Sequence, residues 1–190
     1  MANHCSNYIR IWGEPQDIQR FKEQFLGKFK TEPNFGHLPL AEGCTLEDFD
    51  RYQNEVMQFN YRHYIFDADI CDSDEINIAI ACWTKWSPPI SEMMYACEHF
   101  KLGCNIGYDE TGMGLFGEWQ YDKLHGQPNY DVSLDEMEMS QIEYLDEEDC
   151  YIDKRDNTRH ESESQLYQDM LDAKIQRELI SHELATKIND

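Results

Sequence analysis

What this chain has least of is positive charge. Its 190 residues carry 16 Lys and Arg against 38 Asp and Glu, a formal net charge of −22. Such a surface repels phosphate, and phosphate attraction supplies most non-specific affinity for DNA, RNA and anionic membranes. Direct nucleic-acid binding and a membrane role are therefore not expected. No apolar run approaches the roughly 20 residues of a membrane span, and Met1 to Asn7 shows no basic-then-apolar leader pattern, so a cytoplasmic location is expected. The 7 cysteines are odd in number and form no Cys-x-x-Cys pair, which argues against a disulfide framework and against zinc. No phosphate-binding loop, dinucleotide fingerprint, Gly-x-Ser-x-Gly turn or His-Glu-x-x-His helix occurs, so neither catalytic residues nor a cofactor are expected.

What is present is a core of ordinary size, with 41% hydrophobic and 13% aromatic residues. Tyr8 to Trp12 alternates with period two and Gly13 ends the strand; Pro15, Ile18, Phe21, Phe25 and Phe29 then predict an amphipathic helix over about 15–29. Between about 30 and 58 the pattern is broken by Pro33, Gly36, Pro39 and Gly43, which reads as an insertion with at most a short helix over 46–57. Phe59 to Phe66 and Ile76 to Cys82 read as neighbouring strands, with Asp67 to Glu75 as their connection. That connection resembles part of a calcium loop, but Cys71 stands at its fifth position and no glycine at its sixth, so it reads as a solvated acidic turn. Ser87-Pro88-Pro89 reads as a helix start, Ile90, Met93, Met94, Cys97 and Phe100 as one face, and Gly103 as the left-handed stop. Cys104 to Tyr108 and Met113 to Tyr121 predict a final strand pair turning at Asp109 to Gly112.

Strand, helix, strand, strand, helix, strand, strand is an α+β order. It predicts a ferredoxin-like antiparallel sheet with two helices on one face, plus an extra strand. Three segments follow: a ferredoxin-like domain over 1–122, an acidic extension over 123–163, and a C-terminal amphipathic helix over 164–190. From Glu118 to Glu163 there are 15 acidic and 4 basic residues, a net of −11. Half of the excess negative charge thus lies in about a quarter of the chain. In the terminal helix Leu166, Met170, Leu171, Ile175, Leu179, Ile180, Leu184 and Ile188 form a stripe too wide for a coiled-coil seam, which predicts packing on the body or on a partner.

Asn3-His4-Cys5-Ser6-Asn7, Trp83-Thr84-Lys85-Trp86-Ser87-Pro88-Pro89, Tyr108 to Gly114 and Phe116-Gly117-Glu118, in that order, resemble the YubB ferredoxin-like family of phage, prophage and plasmid proteins. The resemblance covers about residues 1–122 and implies a ferredoxin-like fold with an insertion after the first helix; it implies no catalytic residues. His4 stands where that family typically carries Trp.

Two functional expectations compete. In the first, the chain is a mobile-element accessory protein whose carboxylates imitate nucleic-acid phosphates. It would occupy the basic groove of a host protein or nucleoprotein complex, as an anti-restriction or anti-CRISPR inhibitor does. The expected contact set is Asp135, Glu136, Glu138, Asp146, Glu147, Glu148 and Asp149. In the second, the chain is a non-catalytic assembly module. Its terminal helix, through Leu171, Ile175 and Leu179, docks into a partner groove or pairs with a second copy to make a homodimer. Trp12, Trp83, Trp86 and Trp119, with Arg10 and Lys85, raise a base-stacking platform as a further idea, which the net charge disfavours.

Overall fold

The computed structural model describes residues 4–23, 66–85, 87–110 and 114–189. The end of the first expected helix, the insertion over 30–58, nearly all of the expected strand over 59–66, Trp86 and the tip of the turn before Gly114 lie outside these residues, as do the side chains of Leu184 and Ile188.

Strand β1 (His4–Trp12) is followed by helix α1 (Pro15–Phe21), strands β2 (Phe66–Ser73) and β3 (Asn77–Lys85), helix α2 (Ile90–Phe100), and strands β4 (Gly103–Glu110), β5 (Leu115–Tyr121) and β6 (Tyr130–Leu134). These strands make one sheet in the order β2-β3-β1-β4-β5-β6, with every neighbour antiparallel. The first four strands have the order of a ferredoxin-like sheet, and β5 and β6 continue it as a meander. Alternation decides what lies beneath. Cys5, Ile9 and Ile11 of β1, Ile78, Ile80 and Cys82 of β3, and Cys104 and Ile106 of β4 are buried under α1 and α2. The two helices meet through Phe21 and Phe100, packed edge to face with ring centroids 5.6 Å apart.

Several expectations are corrected. Asp67 to Ser73 belongs to β2 itself, an edge strand whose register shifts twice against β3; an edge strand keeps one side in water, so acidic residues are tolerated and protect against edge-to-edge pairing. Helix α2 starts after Pro89 rather than being capped by Ser87, and Lys101, not Gly103, takes the left-handed conformation at its end (φ 61°). Gly103 is instead the first residue of β4, and its missing side chain makes room for Trp12: a Cβ there would meet Trp12 Nε1 at 2.1 Å.

The sheet does not end near residue 122. After β6 come a one-turn helix α3 (Glu136–Met139), a small antiparallel sheet of β7 (Ile142–Leu145), β8 (Cys150–Asp153) and β9 (Arg159–His160), and the 27-residue helix α4 (Glu163–Asn189). The acidic extension is thus folded onto the body. Val132 and Leu134 of β6, on the sheet face opposite α1 and α2, form a second core with Met170, Leu171 and Ile175 of α4. Phe116, Tyr130, Ile142, Tyr167 and Leu179 pack around it. Leu171 and Ile175, expected to meet a partner, are therefore used within the chain, and Leu179 is half-buried at the edge of the same core.

Truncating Leu171→Ala should leave a cavity beneath α4 and destabilise the protein by about 3 kcal/mol in urea unfolding.

Candidate functional site

Two surfaces stand out among the described residues. The first is the acidic display. Asp135 and Glu138 form a capping box on α3: the Asp135 side chain accepts from the Glu138 amide at 2.8 Å and Glu138 Oε2 accepts from the Asp135 amide at 2.9 Å. Glu138 Oε2 also takes a hydrogen bond from Lys174 Nζ at 2.6 Å, tying α3 to α4. Asp146, Glu147, Glu148 and Asp149 make up the β7–β8 turn, and all four are exposed. Within it Glu148 pairs with Arg159, and Asp149 accepts from Tyr144 Oη at 2.5 Å. Glu136, Asp146 and Glu147 have no ion pair among the described residues. The expected set is therefore split: Asp135 and Glu138 work chiefly as structural caps, while the turn and Glu136 face solvent.

The second surface was not anticipated from the sequence as a site. On its sheet face α4 packs against β6 and β5; on the same face Tyr8 and Arg10 of β1 and Trp83 of β3 are exposed, while Asn105 of β4 is buried. Pairing places Tyr8, Gly107 and Glu118 in one row across β1, β4 and β5, with Arg10, Asn105 and Gln120 in the next. A groove of about 420 Å³ follows these rows, lined also by Asp109 and by Gln168 of α4. A hollow of about 290 Å³ adjoins it, sharing Arg10, Asn105 and Glu118 and adding Trp12, Asn77 and Tyr130.

A hydrogen-bond chain sets the groove's side chains. Arg10 Nη2 donates to Asn105 Oδ1 at 3.0 Å, Asn105 Nδ2 donates to Glu118 Oε1 at 2.7 Å, and Tyr130 Oη donates to the same carboxylate oxygen. Burial, reinforced by that bond, pushes the Tyr130 phenol up, so it stays a donor throughout the physiological range. Burial, with Glu110 and Glu163 nearby, also holds the Asp109 carboxyl above its usual range. At the far end Trp12 Nε1 lies 3.4 Å from Asp122 Oδ2.

Of the four tryptophans, Trp12 and Trp83 lie on this open face; Trp119 is buried on the helix side, stacked on Tyr121 with planes 4° apart. The structure therefore does not assemble the base-stacking set. The signal that would have found the groove is the outward half of β1: Tyr8, Arg10 and Trp12 alternate with the buried Ile9 and Ile11. Among the described residues no group of three or more His, Cys, Asp or Glu side chains is placed to hold a metal, and no helix is long and apolar enough to cross a membrane.

A family model for the ferredoxin-like domain in Api92-like protein matches residues 65–168. The chain belongs to this family. No curated protein and no solved structure matches it. The matched Api92-like domain runs from β2 into the first turns of α4, so it includes the acidic turn and the groove's Asn105, Gly107, Glu118 and Tyr130. Tyr8 and Arg10 reach the groove, and Trp12 the adjoining hollow, from β1, which lies outside the match yet occupies the middle of the sheet.

Asp122, the partner of Trp12, makes the stability of this region depend on pH. Burial raises its carboxyl, but the amides of His125, Leu124 and Gln127 and the His125 ring outweigh burial and hold it at about 2. Its folded value lies below the ordinary one, so its contribution is complete above about pH 4 and is lost as pH falls through about 2. Asp122→Asn should cost about 2 kcal/mol at neutral pH, with the gap from wild type closing between pH 4 and pH 2 in urea titrations.

Proposed function

We propose that this chain acts by binding, as an acidic accessory protein of a phage or other mobile element. It presents carboxylates in place of nucleic-acid phosphates to the basic groove of a host defence or nucleic-acid-handling complex. The observation that carries this reading is that the acid-rich segment is folded. A hairpin, a three-stranded sheet and α4 hold it on the second core, so its charges are fixed before any partner arrives. Fixed charges spare a binder the ordering cost that a disordered acidic tail would meet on association. The resemblance of residues 1–122 to YubB ferredoxin-like proteins supports the phage or plasmid origin, and the net charge of −22 supports a basic target. The competing assembly-module reading is weakened because Leu171 and Ile175 are already occupied by Val132 and Leu134.

Affinity capture by the full chain from a bacterial lysate, washed at low and at physiological salt and then with duplex DNA, tests the proposal. Captured proteins should be released by DNA. Glu136→Lys, Asp146→Lys and Glu147→Lys together, at positions without an ion pair among the described residues, should weaken their binding about tenfold or more at low ionic strength. Capture indifferent to salt, DNA and these reversals would sink the idea.

A further inference from the structure

The groove on the open sheet face carries a chemistry distinct from that of the acidic turn. Gly107 lies between Tyr8 and Glu118 in its row, and among the described residues a Cβ built there would meet only the Tyr8 carbonyl oxygen, at 4.0 Å. The floor is therefore open at that point. Around it stand the aromatic residue Tyr8, 46% exposed, and two carboxylates, Glu118 and Asp109. Glu118 Oε1 is taken by Asn105 and Tyr130, while among the described residues its Oε2 accepts no hydrogen bond. Asp109 sits two residues along β4 from Gly107, on the same face and about 7 Å away. Among the described residues the one cation lining the groove, Arg10, is bound to Asn105. Glu163 and Asp172 of α4 act electrostatically on Asp109 and Tyr130 and add negative charge to that side.

We propose that this groove seats an arginine side chain from an extended basic segment of the partner, its guanidinium over Gly107 beside Tyr8 and donating to Glu118 Oε2 and Asp109. Arginine fits better than lysine because a planar cation can lie against a ring and bond two acceptors at once. A nucleic-acid strand is disfavoured, because its phosphates would meet the carboxylates of Asp109, Glu118, Glu163 and Asp172 with one committed arginine in return. This inference rests on the proposed function and adds where the basic partner is gripped.

The test titrates the isotopically labelled full chain, at about 0.15 M salt, with a short glycine-spaced arginine peptide, its neutral citrulline counterpart and a single-stranded RNA. The arginine peptide should move the amide resonances of Tyr8, Arg10, Gly107, Asp109 and Glu118, and the other two should not. Tyr8→Ala, at an exposed position, should weaken the peptide about fivefold. Glu118→Gln should weaken it too; if that variant fails to fold, Tyr8→Ala decides. Shifts confined to residues 146–149, equal shifts with citrulline, or shifts with RNA alone would each overturn the inference. The Glu136→Lys, Asp146→Lys, Glu147→Lys triple variant separates the two proposals. Groove shifts that persist while wild-type capture proves independent of charge overturn the proposed function alone, and charge-dependent capture without groove shifts overturns the groove alone.

Discussion

The docking of α4 on β6 is the contact from which the rest of the C-terminal half follows. Val132 and Leu134 present an apolar strip on the sheet face that α1 and α2 leave uncovered, and Met170, Leu171 and Ile175 cover it. Burying such side chains is worth roughly 1.5–3 kcal/mol each, an upper figure because denatured chains are already partly compact. Without that contact β6 would be an edge with one wet apolar face, and the small β7–β8–β9 sheet would lose the helix that packs on β8 and β9. The helix also stops short of β1 and β4, so its flank becomes the wall of the groove.

Charge works against this half of the protein, and its basic residues are placed to limit the cost. Lys174 joins Glu138 and the Ser133 carbonyl oxygen, Arg155 pairs with the buried Asp153, Arg159 with Glu148 and Lys154 with Glu143. Pairs as exposed as the last two contribute little individually. Their arrangement matters more: the few cations tie α3 to α4 and brace the small sheet, while Glu136, Asp146 and Glu147 are left to project an unneutralised field.

Much of the first core was readable in the chain because its strands are buried on one face only. The alternation Ile9, Ile11 and Ile78, Ile80, Cys82 exposes the period directly, and Met93, Cys97 and Phe100 mark α2 by their spacing. Legibility failed where burial does not impose a period. The edge strand β2 has Asp69, Ile70 and Cys71 all exposed, so its sequence reads as a turn. The strands β6 to β9 span five residues or fewer and are embedded among carboxylates, too short for alternation to stand out. The groove escaped for another reason: its members lie far apart in the chain, on β1, β4, β5 and β6, and strand register alone brings Arg10, Asn105, Glu118 and Tyr130 together.

By itself the sequence determined the sign and concentration of the charge, the ferredoxin-like order of elements and the existence of an apolar stripe on the last helix. Those are properties of composition and local period. The tertiary structure decided what that stripe touches, because apolar burial is non-directional and any apolar face of suitable shape would satisfy it. Here the face is the chain's own β6, and that choice turns an acidic segment into a folded display with a groove beside it on the same sheet face.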